Sequence, residues 1–271
     1  MNLKDKTVII TGASSGIGKA CAEKFAKQGA NLVLAARQYD VLCAIKQDLE
    51  KRFEIQVLPI QCDVSKEDEC RNLIDQAVSV FKKIDVLVNN AGISMRALFN
   101  DLDLVVLRNL MDVNFWGAVF CTKYALPALL KSKGSVVGIS SVAGYHGLPG
   151  RTGYSASKFA MNGFLESLRI ENLKTGLHVL IVAPGFTASN IRHVALIKDG
   201  TAQGETSMNE DKMMTADHAA NLIVDAVIKR KRTLVMTGQA KLTLFLDKLL
   251  PSWLDKLIYN HFTKEKDPLV K

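Results

Sequence analysis

Thr7-Val-Ile-Ile-Thr-Gly-Ala-Ser-Ser-Gly-Ile-Gly18 is the stretch that decides the fold. Its first five residues are all β-branched and read as a short buried strand. Lys19-Ala-Cys-Ala-Glu-Lys-Phe-Ala-Lys-Gln-Gly29 follows with helical apolar spacing and a glycine stop. The turn between them carries Gly12, Gly16 and Gly18. In a strand, turn and helix of this kind, Gly12 permits the tight turn, Gly16 lets the backbone approach a pyrophosphate, and Gly18 lets helix and strand pack closely. The helix N-terminus then faces the anion, with Ser14, Ser15 and Ile17 completing the candidate phosphate-binding turn.

Outward from that turn the pattern repeats. Asn31–Ala36, Gln56–Gln61, Ile84–Asn89, Gly134–Ser141, Leu177–Ala183 and Thr233–Met236 read as further strands, separated by helical periodicity. The predicted fold is therefore α/β: a single doubly wound parallel sheet (Rossmann) of about seven strands with helices on both faces. The expected organisation is a dinucleotide-binding body over residues 1–238, with a long polar segment at 186–214 as a lid, followed by an amphipathic extension over 239–271. The second strand bears on which dinucleotide fits. An NAD site wants a carboxylate at its end for the ribose 2′-hydroxyl, whereas here Ala36 is followed by Arg37, which attracts a 2′-phosphate. The expected cofactor is NADP(H), and Ser14 can add a hydrogen bond. Ser65, with Asp68 in an acidic first turn, is expected to cap the next helix, leaving Asp63 free.

Tyr154-Ser-Ala-Ser-Lys158 carries the chemistry. A four-residue spacing sets Tyr154 and Lys158 one turn apart on a single helix face, and Ser141 ends the preceding strand on the same crevice. A tyrosine with a pKa of about 10 needs a neighbouring cation to exchange protons near neutrality. An ammonium about 4 Å away contributes roughly 4 kcal/mol at an effective dielectric of 20, and Lys158 is the expected source.

Thr11-Gly-Ala-Ser-Ser-Gly-Ile-Gly18, Asn89-Asn-Ala-Gly92, Ser141, Tyr154-x-x-x-Lys158 and Pro184-Gly185 occur in the order and spacing of the short-chain dehydrogenases/reductases, and the chain resembles that family from about Lys6 to Val235. Within it, the chain is most similar to the NADP-dependent 11β-hydroxysteroid dehydrogenase and dehydrogenase/reductase type. The resemblance implies an oxidoreductase that reduces a ketone or aldehyde reversibly. Ser141 would bind the substrate oxygen, Tyr154 would donate the proton, and Lys158 would hold the nicotinamide ribose. It also implies that Asn114 interrupts its helix and holds a water, that Asp63 and Val64 meet the adenine, and that Asn90, Ala91 and Gly92 pass beside the adenosine ribose. Pro184, Gly185 and either Thr187 or Ser189 would then meet the nicotinamide. Tyr145 and His146 are substrate contacts or solvent-facing loop residues. The alternatives are an NAD-linked alcohol dehydrogenase, or a non-catalytic dinucleotide-binding sensor or scaffold.

Composition narrows the partners. The formal net charge is +8, but residues 229–271 hold 10 Lys/Arg against 4 Asp/Glu, leaving 25 against 23 elsewhere. A near-neutral body without a basic, aromatic-interleaved stripe gives no support for nucleic-acid binding. Five scattered cysteines without C-x-x-C spacing point to buried thiols in a reducing compartment, and no metal is expected. No unbroken apolar run approaches about 18 residues and no signal-peptide core leads the chain, so a cytoplasmic protein is expected. Leu242, Phe245, Leu246, Leu249, Leu250, Trp253, Leu254, Leu257, Ile258 and Phe262 recur at helical spacing, which predicts two short helices broken before Pro251. Three covers suit their apolar face: the protein's own substrate cleft, a neighbouring subunit of a homo-oligomer, or a membrane surface met by 241–262. The expected substrate is a small, apolar carbonyl or alcohol.

Overall fold

Strand β1 (Thr7–Thr11) is buried at every position, as a β-branched run in the middle of a parallel sheet should be. Its side chains alternate: Val8 and Ile10 enter one apolar layer and Ile9 the other. In this computed structural model, which describes residues 2–188, 191–204, 213–264 and 267–270, β1 is followed by α1 (Gly16–Lys27), β2 (Asn31–Ala36), α2 (Tyr39–Arg52), β3 (Val57–Gln61), α3 (Glu67–Phe81) and β4 (Val86–Asn89). Next come α4 (Leu104–Met111), α5 (Gly117–Ser132), β5 (Ser135–Ile139), α6 (Thr152–Glu171) and β6 (His178–Ala183). The two-residue strands β7 (Thr187–Ala188) and β8 (Met214–Thr215) pair in parallel; then follow α7 (Ala216–Ile228), β9 (Thr233–Val235), α8 (Gly238–Leu249) and α9 (Pro251–Phe262).

The sheet has seven parallel strands in the order β3-β2-β1-β4-β5-β6-β9. Chain order reverses between β1 and β4, which opens a crevice beyond their carboxyl ends. Helices cover both faces. Phe25, Leu42 and Ile223 of α1, α2 and α7 fill one layer; Leu73, Cys121 and Leu165 of α3, α5 and α6 fill the other. Each fully buried leucine or isoleucine contributes roughly 2 kcal/mol.

Asn114 interrupts its helix as the resemblance implies: α4 and α5 are joined by a π-helical turn at Asp112–Trp116, where Gly117 N–H donates to the Asp112 carbonyl. Two expectations need correction. Leu104–Ser132 as a whole is also long and apolar enough to cross a membrane, with a mean hydropathy of 1.3 over its best window, although it contains no unbroken apolar run of that length. Here it is a wall of the fold: Val106 and Leu110 are buried beneath α6, and Cys121, Ala125 and Leu129 beneath α3 and the sheet. Of the cysteines, Cys21, Cys62, Cys70 and Cys121 are buried, while Cys43 is half-exposed.

Candidate active site

The phosphate turn is shaped by close backbone approach. Gly12 and Gly16 lie at φ +64° and +53°, in the left-handed region that disfavours a side chain. A Cβ on Gly18 would sit 2.3 Å from the Gly12 oxygen and 2.5 Å from Asn90 Nδ2. Asn90 itself braces the turn, since its Nδ2 donates to the carbonyls of Thr11 (2.9 Å) and Gly12 (3.2 Å). Thr11 Oγ1 returns the contact by accepting from the N–H groups of Asn90 and Ala91, both at 3.0 Å. Helix α1 begins at Gly16, three residues earlier than expected, so Gly16, Ile17 and Gly18 form its first turn. Its N-cap, Ser15, is exposed and extended, and no described side chain caps the helix. First-turn N–H groups and the neighbouring Ser14 therefore make a donor set that fits a pyrophosphate.

At the adenosine end, Arg37 is exposed immediately beyond β2, and its carbonyl accepts from Gln61 Nε2 at 3.2 Å. Asp63 is not free as expected. Its Oδ1 accepts from Ser65 N–H (3.1 Å) and Ser65 Oγ (2.8 Å). This local turn draws Ser65 away from capping, and Lys66 is the N-cap of α3. Glu69 reaches back from the first turn to accept from Asp63 N–H at 2.7 Å. Val64 is buried against Gly117, where a Cβ would come within 2.8 Å of it.

The catalytic candidates meet where β5 ends. Ser141 caps a short 3-10 turn, Val142–Gly144, with its Oγ accepting from Ala143 N–H at 3.1 Å. The same hydroxyl hydrogen-bonds the half-buried Tyr154 phenol. Lys158 is buried; its Nζ donates to the Ile139 carbonyl at 2.9 Å and lies 5.8 Å from the centre of the Tyr154 ring. Burial dominates both groups, pushing the Tyr154 pKa above its ordinary value and the Lys158 ammonium down to about 8. The rise at Tyr154 is opposed by the Ser141 hydrogen bond and by the guanidinium groups of Arg151 and Arg192.

Asn114 sits fully buried in the π turn. Its amide clasps Ile93, accepting from the N–H at 2.8 Å and donating to the carbonyl at 3.0 Å, and it also donates to Ser157 Oγ at 2.9 Å. Ser157 in turn donates to the Tyr154 carbonyl at 2.8 Å. Asn114 thus ties the helix of Tyr154 to Gly92, where a Cβ would lie 3.1 Å from Asn114 Oδ1 and 3.5 Å from Lys158 Nζ.

At the end of β6, Pro184 is buried, and Gly185 is pressed against Thr237, the N-cap of α8, with no room for a Cβ. Thr187 is buried, and its Oγ1 donates to the Gly185 carbonyl at 3.1 Å; Ser189 lies outside the described residues. Within the expected lid, Leu196 pairs with the 94–96 segment through Leu196 N–H to Ser94 O (2.9 Å) and Arg96 N–H to Leu196 O (2.8 Å). For His146 the solvent-facing reading does not hold. Tyr145 packs on the α6 side of the core, and His146 is 9% exposed with its ring turned to α8 and α9. Arg151, Arg192 and the bracing role of Asn90 were missed. Arg151 stands one turn before Tyr154, so its proximity was readable from spacing; Arg192 lies in the long loop, where no periodicity signals it.

Comparison with known proteins agrees with this geometry. A short chain dehydrogenase profile matches residues 6–198. Curated relatives include 11-beta-hydroxysteroid dehydrogenase A of Arachis hypogaea, 36% identical over 95% of this chain and 76% of the relative. Another is Dehydrogenase/reductase SDR family protein 7-like of Drosophila melanogaster, 34% identical over 92% of this chain and 78% of the relative. Among solved structures, a short chain dehydrogenase/reductase from Burkholderia phymatum in complex with NAD superposes with a TM-score of 0.83 at 23% identity, covering 93% of this chain and 96% of that one. An alcohol dehydrogenase from Thermococcus sibiricus complexed with 5-hydroxy-NADP gives a TM-score of 0.74 at 24% identity, covering 86% and 96%. A glycine turn braced by Asn90, a serine at the end of β5 and a tyrosine one helical turn before a buried lysine thus stand in a chain that belongs to the short chain dehydrogenase family of oxidoreductases.

Proposed function

We propose that the protein is an NADPH-dependent reductase of apolar ketones or aldehydes, reversible in principle. The observation that carries this reading is the convergence of Ser141, Tyr154 and Lys158 beside Gly92 at the sheet crossover. When bound, the reduced dinucleotide supplies the hydride. Ser141 orients the substrate oxygen, and Tyr154 passes its phenolic proton to that oxygen as negative charge develops. Burial of Tyr154 suits this direction, because a raised pKa keeps the phenol protonated at neutral pH. Among the described residues, Lys158 Nζ has one acceptor, Ile139, which leaves two of its three N–H donors for the ribose hydroxyls. Asn114 holds the helix interruption from which a water would connect Lys158 to solvent, and the hydroxyl of Thr187 or Ser189 would meet the carboxamide.

Arg37, with no carboxylate at the end of β2, supports NADPH over NADH. The hydroxysteroid dehydrogenase names of several relatives support an apolar alicyclic substrate. Initial rates with each dinucleotide across a panel of ketones test the reading. An NADPH preference of at least about tenfold in kcat/KM is expected from loss of a charge-assisted pair. Turnover of no ketone with either dinucleotide contradicts it.

The reading extends to a cytoplasmic homo-oligomer touching a membrane surface through 241–262. Of those ten apolar residues only Leu254 is buried, so the chain itself leaves most of the face uncovered. Phe245, Leu249 and Trp253 are all more than half exposed beside exposed Lys241, Lys248 and Lys256, a combination that suits an anionic headgroup layer. Exposed Trp116, just before α5, and exposed Phe159, two turns into α6, support self-association.

A further inference from the structure

We propose that His146 is a positioning residue that latches the C-terminal helix pair onto the substrate loop, making the extension a determinant of substrate selectivity. This inference rests on the reductase reading for its effect on substrates, though not for the latch itself. The loop between Ser141 and Tyr154 fixes how those two hydroxyls stand to each other. Its first half is held from inside, by Asn162 Nδ2 donating to Gly144 O (2.8 Å) and by His146 N–H donating to Val142 O (3.1 Å). The second half, 147–150, is held more sparsely, by a long contact to α6 from Leu148 N–H to Ser155 Oγ at 3.4 Å, by Arg151 N–H donating to Leu148 O at 3.2 Å and by Ala97 N–H donating to Gly150 O at 3.1 Å. The His146 ring stands between these halves and faces outward. Nδ1 lies 2.7 Å from Asp247 Oδ1 on α8, and Nε2 lies 3.6 Å from Asp255 Oδ1 on α9.

A ring that is 9% exposed and set between carboxylates from two different helices joins three pieces of chain at one point. The helices need such a fastening, because Ala240 and Leu254 are their only buried residues. Their ends are held separately, at the start by Thr237 under Gly185 and beyond α9 by Asp267 on Arg96 (3.0 Å) and by Leu269 filling the space over Gly150. Between these ends, His146 is a polar tie that reaches both helices. Removing it leaves Asp247 and Asp255 facing the same gap without their shared partner. Beside the latch, His146, Leu148, Thr152, Asp255, Ile258 and Tyr259 line a cavity of about 430 Å³. It is an open groove whose walls are the second half of the loop and α9, so its width depends on how those two pieces are held together.

Hydrogen exchange on the full chain, followed by kinetics, tests this. His146→Ala and Asp247→Asn are each expected to speed amide exchange in 251–262 and 147–150 by about ten- to a hundredfold, the loss of one charge-assisted hydrogen bond, while β1 and β4 keep their protection. The double variant is expected to exchange no faster than either single one, because both remove the same tie. His146→Gln, which keeps one donor for Asp247, is expected to recover most of the protection. With NADPH, the ratio of kcat/KM for a bulky over a small ketone should fall at least about fivefold in His146→Ala, mainly through KM. Unchanged exchange in 251–262, or additive effects in the double variant, overturns the latch. A selectivity ratio equal to wild type despite faster exchange overturns the substrate role. If wild type turns over no ketone, the reductase reading fails, and with it the substrate role, while exchange still decides the latch.

Discussion

Burial is the largest influence on the ionisation of both Tyr154 and Lys158. Both were legible from their spacing, but the direction of the Tyr154 shift was not, because desolvation depends on what surrounds a group and sequence gives only neighbours along the chain. With its pKa lowered to about 8, Lys158 should govern the alkaline limb of the free enzyme. In reduction, kcat/KM is therefore expected to decline as pH rises through about 8, before the more weakly acidic Tyr154 ionises. Rate profiles in overlapping buffers check this; a flat profile to pH 10 contradicts it. Stability should move the opposite way. Between about 8 and the ordinary 10.5 the unfolded chain holds a proton that the folded chain has released, so cofactor-free protein gains stability as pH rises through that window. Lys158→Met removes a burial cost of roughly 3 kcal/mol at pH 7, less about 1 kcal/mol for the bond to Ile139. Its Tm in the cofactor-free state is expected to rise even as turnover is lost, and calorimetry at pH 7 reads the sign.

The elements around β1 were the most legible part of the chain, because β-branched runs and glycine stops mark strand and helix ends directly. Helix α7 behaved as read, with Thr215 Oγ1 accepting from His218 N–H at 3.1 Å. The same logic failed at α3, where Asp63 competes for Ser65, and at Asn114, where a π turn leaves the apolar periodicity almost undisturbed. Side-chain competition and a single-residue change in helical register leave little trace in a pattern. Cofactor choice belongs to this scale, since it turns on the side chain just past the end of β2. Arg37→Asp is expected to reverse the NADPH to NADH ratio of kcat/KM, by about tenfold or more in the ratio, through loss of the guanidinium and gain of a carboxylate for the 2′-hydroxyl. Wild-type protein that uses both dinucleotides equally would make Arg37 a bystander.

The whole molecule is a seven-stranded parallel sheet with an amphipathic helix pair packed against the loop that joins Ser141 to Tyr154. Periodicity found the pair and its break at Pro251, but not what covers it, because an apolar face looks the same whether protein or lipid meets it. Co-sedimentation with anionic vesicles is expected to retain the full chain at low salt, to weaken as salt screens the lysines, and to be lost when the chain is cut after Gly238 with the body still folded. Absence of vesicle binding at low salt would assign the face to another subunit. The central claim, carbonyl reduction with Tyr154 as proton donor, meets its most direct test in single-site replacement read by two signals at once. NADPH binding by fluorescence and NADPH consumption with a reactive ketone are measured for wild type and for Tyr154→Phe. Binding within a few-fold of wild type, with turnover lower by at least about 10²-fold, is the result this account predicts. Turnover by Tyr154→Phe near the wild-type rate would contradict it.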